Sequence, residues 1–386
     1  MIYPGFLIVF FHITGCATDM NKIVHDNMKD AQGHYSRMLD SLGDVRRLPR
    51  TVDESGSLKT VKSKDWTSGF FAGSLWYLYQ YSKDDQWKEA AERFTSYVED
   101  QQFNDGTHDM GFKMLSSYGN GYRLNNDTSY KDILMQSAKT LITRFNPRAG
   151  FIRSWDHHKN LWQYPVIIDN MMNLELLFWA TKASGDSTYH EIALQHADKT
   201  LQTHFRDDYS TWHVVDIDTL TGDVLGKYTH QGYAHESTWA RGEAWALYAY
   251  TMCYRESGQQ RYLDRARHVA EFILNHRNLP EDLVPYWDFD TPNIPDEERD
   301  VSAAAVICSA LFELSRYTDT ERYYNTALTL LRVLSSPEYK AEPGENYNFV
   351  LKHGVGNKRG NSEVDVPLIY ADYYFIQANM RYLNYE

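Results

Sequence analysis

Hydrophobic and polar positions fall into a local pattern that recurs five times along the chain. KDDQWKEAAERF (83–94), NDTSYKDILMQSA (126–138), SGDSTYHEIALQHA (184–197), SGQQRYLDRARHVA (257–270) and TDTERYYNTALTLL (318–331) each open on a polar turn. An aromatic follows in every copy: Trp87, Tyr130, Tyr189, Tyr262 and Tyr323. Four copies place Ala four residues later (Ala91, Ala193, Ala266, Ala327), and the Tyr130 copy has Ala138 eight later. A polar cap followed by apolar residues at 3.6 spacing predicts a helix start, and the small side chain lets a second helix approach closely. Between the copies lie stretches that are apolar almost all round, GFFAGSLWYLYQYS (69–82), NMMNLELLFWATKAS (170–184), STWARGEAWALYAYTMCYRES (237–257) and SAAAVICSALFELSRY (302–317). Such stretches predict helices buried on both sides. With a first helix near 22–42 and a last near 364–383, the total comes to about a dozen. Six hairpins closed into a ring give an all-α (α/α)6 toroid. An open superhelix would need a strict repeat length, which the chain lacks. Past residue 20 no linker rich in Pro or Ser interrupts the pattern, so 16–386 reads as one catalytic domain. In such a ring the loops joining the hairpins face a central cavity and should carry function.

Composition narrows the class of partner. A formal net charge of −13 argues against nucleic acid. An anionic substrate would have to be received by a local cluster of Arg, His and dipoles. Aromatics make up 15% of the chain, and Tyr and Trp suit both core packing and stacking on sugar faces. The three cysteines, Cys16, Cys253 and Cys308, have no zinc spacing and imply no disulfide framework. Residues 6–15, FLIVFFHITG, form a short apolar run ending in small residues just before Cys16, with no Lys or Arg ahead of it. The run resembles a lipoprotein signal and is too short to span a membrane. The expectation is that 1–15 are removed and that Cys16 carries a lipid anchor, giving an exported protein, periplasmic or attached to the outer membrane.

The inter-helix segments hold the candidate chemistry. THDMGF (107–112) sets His108 and Asp109 between apolar runs, and YPVIIDNMMN (164–173) sets Asp169 and Asn170 at the mouth of an inner helix. An Asp there can be a helix cap. It also follows Val166-Ile167-Ile168, so its carboxyl should be partly desolvated and its pKa raised toward neutrality, which suits proton donation. Two aspartates facing one cavity are enough for acid/base cleavage of a glycoside. HQGYAHESTWARGEAW (230–245) places Arg241 and Trp245 one helical turn apart. That pair can bind a carboxylate and stack on a ring, or Arg241 can simply lie over a core Trp. TWHVVDIDTLTG (211–222) supplies His213, and VPYWDFD (284–290) a further Trp expected to be exposed. No HExxH, Walker or GxGxxG pattern occurs, which removes the metalloprotease and nucleotide classes.

Taken together, WTSGFFAGSLW, HDMGF, IIDNMMNLELLFWA, HQGYAHESTWARGEAW and EVDVPLIYADYYF resemble the unsaturated glucuronyl hydrolases of glycoside hydrolase family 88, over roughly residues 22–383. The resemblance implies the (α/α)6 fold and no metal or other cofactor. It implies as substrate an oligosaccharide with a C4=C5 unsaturated uronic acid at its non-reducing end. By the same resemblance Asp169 is the general acid/base that protonates C4 and activates water for C5, and Asp109 is its essential partner. His213, Gln231, Arg241 and Trp245 match positions lining the uronate pocket, and Trp66 matches a stacking Trp. HGVGNKRGNSEVD (353–365) aligns with the region where some members recognise sulfate. It lacks a Ser-x-x-Ser-x-Lys pattern but offers Lys358 and Arg359. Three other readings compete: a family 105 enzyme acting on pectin products, a toroid polysaccharide lyase, and a non-catalytic glycan-binding lipoprotein. The length leaves no room for the β-sandwich domains such lyases append. Retention of both aspartates disfavours the non-catalytic reading.

Overall fold

The computed structural model describes residues 14–384, and in it all five repeat copies start a helix, three of them with a side-chain cap and the copies at Gln259 and Glu321 without one. Outer helices α1 (Thr14–Leu42), α3 (Asp85–Ser96), α5 (Thr128–Ile142), α7 (Ser187–Thr203), α9 (Gln260–Leu274) and α11 (Arg322–Leu334) alternate along the chain with inner ones. The inner set is α2 (Phe70–Ser82), α4 (Asn120–Asn125), α6 (Leu174–Ser184), α8 (Ala240–Ser257), α10 (Val301–Leu314) and α12 (Ile369–Leu383). A π-helix, Gly111–Gly119, runs directly into α4, and a 3-10 turn, Ile168–Asn173, runs into α6. Inner helices pack on one another in chain order, and α12 packs against α2, which closes the ring as an (α/α)6 toroid.

Local chemistry explains the alternation. Asp84, Asp127 and Asp186 accept hydrogen bonds from the backbone N–H groups of Gln86, Ser129 and Thr188, satisfying donors that a helix start leaves unpaired. Ala91, Ala193, Ala266 and Ala327 are fully buried where outer helices meet inner ones. Every residue of α10 is buried, as its unbroken apolar run requires. α6 and α8 end on Gly185 and Gly258, whose φ of 78° and 67° reverse the chain at once into the next outer helix. Inner-to-outer turns are therefore short. The outer-to-inner connections (43–69, 97–110, 143–167, 204–239, 275–300 and 335–368) are long, and they gather at the N-terminal ends of the inner helices.

Those connections hold all the strands. They are β1 (Leu48–Val52) with β2 (Leu58–Val61), the two-residue pair β3 (Phe145–Asn146) and β4 (Phe151–Ile152), the antiparallel sheet β5 (Pro165–Ile167), β6 (Val214–Ile217), β7 (Val224–Tyr228), and the hairpin β8 (Gly354–Asn357), β9 (Ser362–Val366). At the opposite end the inner helices are tied by charge, with Arg255 of α8 pairing with Glu175, Glu256 and Glu313, and Arg381 of α12 also reaching Glu313. A cavity of about 500 Å³ lies at that end, lined by Tyr77, Trp179, Tyr248 and Arg381 among others.

Three expectations need correction. The last helix starts at Ile369, because 362–366 pair with β8 as a strand. The first begins at Thr14 instead of near 22. The inner segment 111–125 escaped the apolar pattern altogether. The expected leader lies, up to residue 13, outside the described residues.

Candidate active site

The sheet β5-β6-β7 brings the first two site residues together. Ile167 pairs with Val214, and the N–H of Ile168 donates to the carbonyl of His213 at 3.1 Å, so Asp169 and His213 emerge side by side. Asp169 does not cap a helix. The 3-10 turn starts from Ile167, and Asp169 Oδ2 makes no hydrogen bond. Its nearest basic neighbour is Nε2 of His213, 3.7 Å away. Burial pushes the Asp169 carboxyl up to about 7; the nearby charge of Asp109 adds to the rise, while the Arg241 charge and the Trp245 indole oppose it.

His213 has its tautomer fixed by the backbone. Nδ1 accepts from the N–H groups of His230 and Gln231, both at 3.1 Å, so the ring proton sits on Nε2 and points toward Asp169. Burial, helped by His230 and Arg241, lowers its pKa well below the usual value and keeps it a neutral donor.

Asp109 enters from the other side, just ahead of the π-helix. Thr107 Oγ1 donates to its Oδ2 at 2.5 Å, and Nε2 of His108 lies 3.3 Å from Oδ1. The two carboxylate-bearing segments cross at Gly111. A Cβ there would meet Asn173 Cα at 2.7 Å, and the Phe112 N–H donates to Asn173 Oδ1 at 3.0 Å.

Around the pair the expected residues converge, in ways the spacing alone did not show. Arg241 is 1% exposed and lies over Trp239 and Tyr370, 4.6 and 5.4 Å from the ring centroids, rather than beside Trp245. Its Nη1 meets Asp300 Oδ2 at 3.1 Å and the Val355 carbonyl, and Nη2 donates to the Gly356 carbonyl at 2.6 Å. Most of its donors are thus spent on the protein, and it serves the site as a fixed buried cation. Gln231 Nε2 donates to the same Gly356 carbonyl at 3.0 Å. Trp245 is fully buried against Phe112 and Tyr374, and Trp66 packs on Phe112 and Tyr370. Lys358 is not brought to the carboxylates. Its ammonium pairs with Glu297 and Glu298 and lies 5.7 Å over Trp287. Trp287 itself is buried, contrary to the exposure expected of it.

Sequence reasoning gave no role to several residues that shape the site. Trp155 bridges Thr107 through backbone pairing and stands 5.3 Å from His230, whose ring is 6.5 Å from His213. The aromatic and histidine density of SWDHHKNLW (154–162) was the available signal. Asp300, which anchors Arg241 from 59 positions away, offered none.

A closed helical ring whose loop end holds one carboxyl poised near neutrality, a second near it and a neutral imidazole donor has the parts that a hydrolase working by acid/base catalysis needs. The chain belongs to Glycosyl Hydrolase Family 88, whose profile matches residues 45–381. It is 52% identical over 373 residues to an unsaturated glucuronyl hydrolase of Formosa agariphila, covering 95% of this chain and 93% of that protein. An unsaturated glucuronyl hydrolase of Bacillus sp. strain GL1 is 33% identical over 361 residues, 91% of this chain and 94% of its own. The crystal structure of an unsaturated glucuronyl hydrolase specific for heparin matches with a TM-score of 0.92 at 44% identity, covering 95% of this chain and 98% of that one.

Proposed function

We propose that this protein removes the 4,5-unsaturated uronic acid from the non-reducing end of lyase-generated oligosaccharides of glycosaminoglycan type, by hydrating the C4=C5 vinyl ether. The observation that carries the reading is Asp169, a buried carboxyl at about 7 facing the N–H of His213. Protonated Asp169 gives its proton to C4, and the cation formed at C5 is stabilised by the ring oxygen. The resulting carboxylate then takes a proton from the water that attacks C5. The hemiketal at C5 opens and releases the uronate as a keto sugar. Asp109 is the partner carboxyl of Asp169, His213 and Gln231 line the uronate pocket, and Arg241 is the fixed buried cation of that pocket. Trp66 and Trp245 wall the pocket. The close relatives' names support the substrate class. A sulfate on the second sugar would meet Arg359 rather than the ion-paired Lys358. Arg359 makes one long hydrogen bond, to the Gly232 carbonyl, and no ion pair among the described residues.

Bond position tests the mechanism. In H₂¹⁸O the label should enter at C5, and in D₂O deuterium should be fixed at C4. Label at C1, or good turnover of a saturated glucuronide, would overturn the reading. We also propose export with a lipid on Cys16, supported by the apolar run 6–15. Metabolic fatty-acid labelling should be lost in Cys16→Ser, and label retained there would reject the anchor.

A further inference from the structure

We infer that His108 and Asp109 share a single proton, with Asn170 fixing the orientation of the His108 ring. The proposal rests on the reading of Asp109 as the partner of Asp169.

His108 is buried, with Nε2 beside Asp109 Oδ1 and Nδ1 shut off from water. Nδ1 has no hydrogen-bond partner, neither has Oδ1 of Asn170, and the Asn170 side chain is the polar side chain that acts on the ring besides the charged groups. The amide of Asn170 cannot be turned round, because its Nδ2 donates to the Ile152 carbonyl at 2.6 Å and lies 3.5 Å from Ser154 Oγ. Turned, it would set Oδ1 against a carbonyl. With the amide held that way, the assignment that satisfies both orphan atoms puts the N–H on Nδ1 of His108. That leaves Nε2 as a lone pair, 3.3 Å from Asp109 Oδ1. Two acceptors at that distance in a buried place repel unless a proton lies between them. The pair is then either imidazolium with carboxylate or imidazole with carboxylic acid, and it is neutral both ways. The other groups acting on His108 are the cations Arg144 and Lys113 and the rings of His196 and His213, and Asp109 is the anion that acts on it most strongly. Burial and the two cations loosen the ring's own hold on the proton, which favours sharing over a bare imidazolium.

Asn170 thus links the two aspartates, adjacent to Asp169 in the chain and reaching Asp109 through His108. Sharing the proton with His108 tempers the Asp109 charge that helps hold the proton on Asp169, so Asp169 gives it up more readily near neutrality. His108 is in this sense a positioning residue acting through Asp109.

Two measurements decide it. In ¹⁵N-histidine-labelled protein, the His108 signal, assigned by its loss in His108→Gln, should show a proton on Nδ1. A neutral ring protonated on Nε2 alone would overturn the proposal, whatever the substrate proves to be. With an unsaturated uronyl disaccharide, His108→Gln should lower kcat/KM by about 10–100-fold, His108→Ala by more, because Gln can still donate to Asp109. Without the shared proton Asp109 is a full carboxylate and holds the proton on Asp169 to higher pH, so the alkaline limb should move up by roughly half a unit or more. An unchanged profile in His108→Gln would make His108 merely structural. If wild type fails to turn over the disaccharide, the functional reading falls while the tautomer still answers this one.

Discussion

Asp169 owes its chemistry to an Oδ2 that is shut off from water with no hydrogen bond in its place. Asp169→Asn should lower kcat by roughly 10²–10⁴-fold, read as loss of C=C absorbance, while leaving the melting temperature close to wild type. Since the carboxyl titrates at about 7, its proton-donating form fades above that pH, and kcat/KM should fall on the alkaline side of neutrality. A profile flat to pH 9 would remove Asp169 as the donor. Arg241 behaves differently from what its spacing to Trp245 implied. Arg241→Ala strands Asp300 without its cation, although Asp300 keeps hydrogen bonds from Ser302 and Val355. The expected loss is about 3–5 kcal/mol in urea unfolding, together with reduced turnover. Unchanged stability would mean that the guanidinium is free to serve substrate alone.

At the scale of elements, the site depends on how closely segments cross. Gly111→Ala would drive a Cβ to 2.7 Å from the Asn173 backbone and part the π-helix from the 3-10 turn, the two pieces that carry Asp109 and Asp169. It should cost about 1–3 kcal/mol and lower kcat disproportionately. Gly185→Ala meets nothing within 4 Å and has only its φ of 78° to strain, so it should cost about 1 kcal/mol and spare activity. Equal kinetic effects from the two would sink the crossing argument. Glu243 of α8 is a second test. Its Oε1 accepts from the N–H and the Oγ1 of Thr211, both at 2.7 Å, pinning the segment that leads to His213 and β6. Burial raises Glu243 to about 7, so the folded state binds a proton that the unfolded chain releases near 4.5. Its contribution to stability is present at low pH and is lost as pH rises toward 7. Glu243→Gln, which keeps the acceptor, should match wild type near pH 5 and exceed it at pH 8 by on the order of 1–3 kcal/mol. A difference independent of pH would show that Glu243 is not held protonated.

These elements also show what the sequence could reveal. Outer helices were legible because an Asp cap, an aromatic and a small residue are all local signals, as at Asp84, Trp87 and Ala91. The segment 111–125 was not, because π-helical winding and its glycines break the 3.6 pattern. EVDV read as the start of a helix because its alternation is too short to oppose the long apolar run behind it. Gln231 was marked only by the family resemblance, whereas Asp109 and Asp169 stood out as polar residues set against apolar runs. Asp300 and the glutamates that occupy Lys358 did not, since their partners lie 59 to 61 positions away and only the closed ring brings them together.

For the whole molecule, charge sets the terms on which substrate arrives. The net charge of −13 repels a uronate at long range. Arg241 is ion-paired with Asp300 and Lys358 with two glutamates, so neither offers a free charge to focus an anion toward the mouth. Capture should therefore rely on short-range contacts in the pocket, with the global field acting against encounter. Raising salt from about 10 to 150 mM shortens the screening length from about 30 to 8 Å and weakens mainly that long-range term. On the proposed function, kcat/KM for an unsaturated disaccharide should hold or rise modestly over this range. The rise should be larger for a sulfated disaccharide, whose extra charge feels more of the repulsion. An enzyme steered by a basic funnel would show the opposite, a steep fall with salt that steepens with substrate charge. Should such a fall be seen, Arg359 is the exposed cation of the β8-β9 hairpin to test first, and Arg359→Gln should flatten it.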